Sequence, residues 1–213
     1  MFPALGAGVP INMIANKKRV ATLTTNILNP FLVGMGLITL LSFKSMPSTS
    51  DAIKWALTSI ACSILPIFAV VIYLLHNNRL GNFFINARAE RSKVYLLAGA
   101  CSITGSIVLA RLGAPPVLLA TYIAGLLAIV IFMLINLMWK ISVHTAFIAA
   151  SATILIVMYG FVGAVGAALV PPTAWARIEL EEHSLAQAVS GAVLAAVIVF
   201  VVFYFFGLVG GPA

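Results

Sequence analysis

Two histidines and the cations beside them are the residues of this chain best suited to chemistry. His144 closes the segment Lys140-Ile-Ser142-Val-His144, and His183 stands between Arg177 and Gln187 in Arg177-Ile-Glu-Leu-Glu-Glu-His183-Ser184-Leu-Ala-Gln187. A third basic cluster runs from Arg79 to Lys93 and contains Arg88, Glu90 and Arg91. Cations gathered near two imidazoles suit phosphoryl transfer: they neutralise the equatorial oxygens while one imidazole attacks phosphorus and the other protonates the leaving oxygen. Such a site needs no metal ligand set and no cofactor. Each cluster also has a plainer role, as a solvated basic loop or as a polar anchor at a membrane surface.

The two histidine segments carry helix-start signals. Ser142 reads as an N-cap, so the amides behind it are unpaired and point outward with the positive end of the helix dipole, a setting that receives phosphate. Lys140 adds a charge there. Ser184 and Gln187 have the S-x-x-Q spacing of a capping box, which gives Gln187 a structural reason of its own. His183 stands immediately before that cap, six residues after Arg177.

The elements that must position these residues are membrane helices. Of the 213 residues, 62% are apolar and 8% charged, and the mean hydropathy is +1.14, far from soluble composition. A net charge of +7 in so apolar a chain points to lipid headgroups and membrane orientation. No nucleic-acid partner is expected. Cys62 and Cys101 each fall inside an apolar run, so neither a disulfide nor a metal or redox pair is suggested.

Uncharged stretches run over 20–43, 55–78, 94–110, 112–139, 141–176 and from 184 onward. Five of them suit one crossing each of a hydrocarbon core ~30 Å thick. The stretch 141–176 does not, since its 36 residues would span ~54 Å as one helix. A break at Tyr159-Gly160 divides it into two helices and gives seven crossings. The alternative is one long helix ending at Pro171-Pro172, which gives six.

With seven crossings, Lys17, Lys18, Arg19, Arg79, Arg88, Arg91, Lys93, Lys140 and Arg177 share one face, and Lys44, Lys54 and Arg111 the other. The positive-inside rule then puts the basic face and the N-terminus in the cytoplasm. All three chemical segments open on that face only in this topology; with six crossings the last lies on the opposite side. No cleavable signal is expected, because Lys17-Lys18-Arg19 follows the first apolar segment. Small residues, notably Gly160, Gly163 and Gly166, suit close helix packing. The chain reads as a single membrane domain over 1–213, an all-α polytopic transmembrane bundle.

At these residues the sequence resembles the type 2 phosphatidic acid phosphatase superfamily, in a divergent prokaryotic branch. The family's S-R-x5-H-x3-D motif has its spacing in Ala176-Arg177, His183 and Gln187, and its P-S-G-H motif keeps Ser142 and His144. For the K-x6-R-P motif, Arg91 stands for the arginine, with Ser92 in the proline position and Phe84 in the lysine position. Arg88, Arg79 or Lys140 would supply the missing cation. The resemblance covers about residues 79–195.

The resemblance implies a metal-independent phosphatase of a prokaryotic cell membrane. His183 would be the nucleophile that forms a phosphohistidine, and His144 the general acid. Arg177, Arg91, Arg88, Lys140 and Ser142 would hold the phosphate, and Gln187 would orient the nucleophile in place of the family's Asp without its charge. Glu179, Glu181 or Glu182 would compensate for that charge. The expected partner is an amphiphilic phosphorylated lipid, such as a prenyl (di)phosphate or a phospholipid phosphate.

Two other classes stand beside this one. A catalytically degenerate member of the same fold would bind lipid or serve as a subunit of a larger membrane complex, a reading motivated by Gln187 and the altered first motif. A transporter or channel is disfavoured because the apolar runs hold few ionisable groups at midplane depth.

Overall fold

The computed structural model describes residues 11–76 and 88–210, and among these every regular element is helical. The order is α1 (Ile11–Ile27), α2 (Pro30–Ser45), α3 (Thr49–His76), α4 (Arg88–Leu112), α5 (Pro116–Asn136), α6 (Val143–Tyr159), a 3₁₀ helix (Gly160–Leu169), α7 (Val170–Glu179) and α8 (Leu185–Phe205). Among the described residues, six helical segments are long and apolar enough to cross a bilayer. The protein is a polytopic helical membrane bundle.

The first segment is hinged rather than straight. Asn29 caps α2 by accepting from the Leu32 N–H at 3.0 Å, and Pro30 takes the first helical position, where its missing N–H leaves no bond unmade. Helix α4 begins at Arg88, inside the stretch from Arg79 to Lys93 expected as a loop. Neighbours in sequence pack together from α2 to α5, α8 lies against both α5 and α6, and α1 lies against α7.

The segment 143–179 doubles back at Gly160. Gly160 takes φ 59° and ψ −134°, a conformation that only glycine adopts readily. Beyond it Gly163 lies against Leu155, and Gly166 against Ala152, the register of an antiparallel pair turning at 159–160. A Cβ on Gly163 would strike the Leu155 carbonyl oxygen.

The return limb opens as 3₁₀ helix, with about three residues per turn. Glycines three apart therefore fall on one line, and Gly163 and Gly166 bring that line against α6. The outgoing limb has 17 residues, or about 25 Å. The return limb has ten in 3₁₀ and ten in α7, together about 35 Å. Among the described residues, counting the two limbs separately turns the six spans into seven passes along the bundle.

Two apolar clusters stabilise opposite ends. Leu41, Trp55, Leu109, Leu118 and Phe203 belong to the cluster at the Tyr159 end, and Tyr95, Phe132, Ile141 and Ala195 to the other. Within the first cluster Tyr122 joins three helices: its ring lies against Gly105 of α4 and its hydroxyl donates to the Ser59 carbonyl of α3. At the Tyr159 end, the Tyr159 hydroxyl donates to the Leu40 carbonyl at 2.9 Å. At the opposite end Lys18 pairs with Glu181 at 3.0 Å.

Candidate functional site

The turn entering α6 and the turn between α7 and α8 meet at the Lys18 end of the bundle. The Ser142 N–H donates to the Gln187 carbonyl at 3.3 Å, and the carbonyl of Ser142 lies so near Gly191 that a Cβ there would approach it to 2.7 Å. Glycine at 191 is what lets α8 come this close. Ser142 itself is buried. Its hydroxyl shares a 2.9 Å bond with Thr145 Oγ1 and accepts from the Thr145 N–H at 3.5 Å. Ser142 thus caps α6 and joins it to α8.

Capping of α8 is reciprocal. The Gln187 N–H donates to Ser184 Oγ at 3.3 Å, while Gln187 Oε1 accepts from the Ser184 N–H at 3.1 Å. The same oxygen lies 3.2 Å from His183 Nδ1. Because a backbone N–H fixes which end of the amide is oxygen, Nδ1 must be the donor to it. In the neutral ring the lone pair is then on Nε2, the tautomer that a nucleophilic imidazole requires. Gln187 both caps the helix and orients His183.

Helix α7 ends in a tight reversal. The Glu182 and His183 N–H groups both donate to the Arg177 carbonyl, at 3.1 and 3.2 Å, and Glu181, just before them, takes φ 59°. This left-handed residue turns Glu181 outward to Lys18 and Glu182 inward. Glu182 Oε2 lies 3.4 Å from Arg177 and 3.7 Å from Lys140. Arg177 is only 4% exposed, so its charge requires a close counter-charge.

His144, half-buried in the first turn of α6, lies within electrostatic reach of both Arg177 and His183. Lys140, His144, Arg177, His183 and Gln187 are therefore brought together. Arg79 lies outside the described residues. The side chains of Arg88 and Arg91 lie outside them too, although their backbone forms the first turn of α4. That turn is at the same end of the bundle, since Asn136 at the end of α5 donates to Ser92 at 3.5 Å.

Glu182 is the member of this group that spacing does not single out. Glu179, Glu181 and Glu182 are equivalent in the sequence, and only the left-handed backbone at Glu181 selects among them. Thr145, fully buried behind Ser142, is likewise unannounced.

The chain matches no family model, no curated protein and no solved structure. Its chemistry is read from the residues themselves. A half-buried cluster of two imidazoles, an arginine, a lysine and one carboxylate binds an anion best when the carboxylate yields its place to it.

Proposed function

We propose that the protein is a membrane-embedded, metal-independent phosphatase acting on the phosphate group of an amphiphilic lipid. The observation that carries this reading is the convergence at one end of the bundle of His144 from the start of α6, Arg177 from the last turn of α7 and His183 from the turn into α8. By the positive-inside rule that end faces the cytoplasm.

His183 Nε2 attacks phosphorus, forming an N–P bond as the P–O bond to the lipid breaks. His144, which takes up a proton once the phosphate brings its negative charge beside it, gives that proton to the departing oxygen, then takes one from the water that attacks the phosphohistidine. Inorganic phosphate leaves and both rings return to their starting state. Arg177 and Lys140 offset charge on the phosphoryl oxygens, released for this by movement of Glu182. Ser142 acts from behind, by fixing the start of α6.

The test is release of inorganic phosphate from a lipid phosphate in detergent, with chelator present. His183→Ala should lower turnover by at least ~10³-fold. Turnover that survives this substitution, or that chelator abolishes, rejects the mechanism.

The Glu182 contacts favour a second reading, a non-catalytic lipid-binding subunit whose cationic site is satisfied by its own carboxylate. Glu182→Gln separates the two. In a phosphatase it should tighten inhibition by inorganic phosphate several-fold, by removing the competing anion. In a non-catalytic subunit neither wild type nor variant turns over any phosphorylated lipid.

A further inference from the structure

Beside the cationic cluster, an apolar groove of about 400 Å³ opens between the end of α5 and the outer face of α8. Ile135 and Trp139 form one wall, Val189, Val193 and Val197 the other, and Ile141 the end nearest the cluster. Lys140 follows Trp139 and precedes Ile141, and Gln187 lies two residues before Val189. The groove thus begins where the cations end.

Its depth is set by α8. From Gln187 to Val197 is ten residues, about 15 Å of helix, half of a ~30 Å hydrocarbon core and so one leaflet. The three valines recur every four residues and form a straight, half-exposed track. Ile141 is buried and closes the groove at its head. Trp139, placed between this track and Lys140, has the amphipathic ring suited to the headgroup boundary.

We infer that this groove receives the hydrocarbon tail of the substrate, and that the substrate class is a phosphate carried on a single flexible chain, alkyl or isoprenyl, rather than on two acyl chains. The inference rests on the phosphatase reading for the headgroup position only. Charge complementarity selects the occupant: an amphiphile with its phosphate at Lys140 and Arg177 has its chain at the mouth of the groove, and the volume suits one chain. A neutral lipid gains nothing at the cationic end, and a groove of this volume holds one chain and not two.

The probe is hexadecyl phosphate brominated near the head of its chain, whose bromine quenches a tryptophan that it touches, added to the full chain in detergent. Saturable quenching is expected in wild type and should disappear in Trp139→Phe. Val193→Phe and Val197→Phe, both at lipid-facing positions that tolerate a ring, should weaken it at least tenfold. Brominated hexadecanol and brominated phosphatidic acid should each quench at least tenfold more weakly. Equal quenching by the alcohol, equal binding of the two-chain lipid, or indifference to both phenylalanine substitutions overturns the inference. So does quenching that tracks protein concentration, which would assign the groove to a second copy of the chain. Saturable quenching without hydrolysis leaves the groove in place and removes the phosphatase reading; hydrolysis without quenching does the reverse.

Discussion

The two ends of the bundle treat the same kinds of residue differently. At the Tyr159 end the cations stay outside: Lys44 lies over the Tyr159 ring at 5.6 Å and Lys54 over the Trp55 ring at 5.3 Å, above an apolar cluster. At the other end Arg177 is buried, with Lys140 half-buried beside it, and both face Glu182. Charge count alone does not separate a site from a surface. The difference lies in the end of α7, whose negative dipole end favours Arg177, meeting two helix starts at one place, where the buried cation demands an anion beside it.

Arg177 gives the largest expected contrast. Arg177→Ala removes the buried member of a charge cluster and leaves Glu182 facing Lys140 alone, a loss of about 3 kcal/mol in unfolding stability, together with all phosphate release. Lys54→Ala, at an exposed position over an aromatic ring, should change stability by no more than about 0.5 kcal/mol and activity not at all. Thermal unfolding in detergent and a phosphate assay read both. Equal effects at the two ends would mean that Arg177 is merely another surface cation.

Glycine offers the same contrast for packing. Gly163→Ala forces a Cβ into the Leu155 backbone, so the hairpin must part or bend, at about 1–3 kcal/mol. Gly36→Ala, where a Cβ would meet nothing within 4 Å, should instead gain up to about 1 kcal/mol from helix propensity. One substitution with two opposite signs distinguishes close helix approach from incidental glycine. A neutral Gly163→Ala would show that the 3₁₀ limb does not depend on backbone contact.

Much of this arrangement was legible in the sequence because it depends on local chemistry. The caps at Ser142 and Ser184 follow from side chains that reach their own backbone, and the turn at Tyr159-Gly160 from a stretch too long for one helix. What was not legible depends on residues distant in sequence or on backbone states that spacing does not encode. A run of hydrophobic residues from 20 to 43 hides the hinge at Asn29-Pro30, and charges at Arg88 and Arg91 suggest a loop where a helix begins. The choice of Glu182 over its acidic neighbours appears only with the φ of Glu181. The burial of Ser142 against Thr145 appears only once α8 is in place.

The helix-ending turns carry the smallest contrast and the most local one. Helices α4 and α8 both end at the Tyr159 end with glycine in the left-handed position, Gly113 at φ 72° and Gly207 at φ 68°. Helix α7 ends at the site with the same hydrogen-bond pattern but with Glu181 there. A side chain in that region costs about 1 kcal/mol relative to glycine, so the turn that aims Glu182 and His183 is held under strain. Gly207→Ala should lower stability by about 1 kcal/mol and leave activity unchanged. Glu181→Gly should raise stability by less than that, because it also removes the exposed Lys18 pair, worth at most about 1 kcal/mol. In a Lys18→Gln background that offset is gone and the full gain should appear, as a double-mutant cycle would resolve. Turnover should fall several-fold in Glu181→Gly, since a glycine turn no longer fixes the direction of the two residues after it. If stability rises and turnover holds, the left-handed glutamate ends a helix and does nothing for the site.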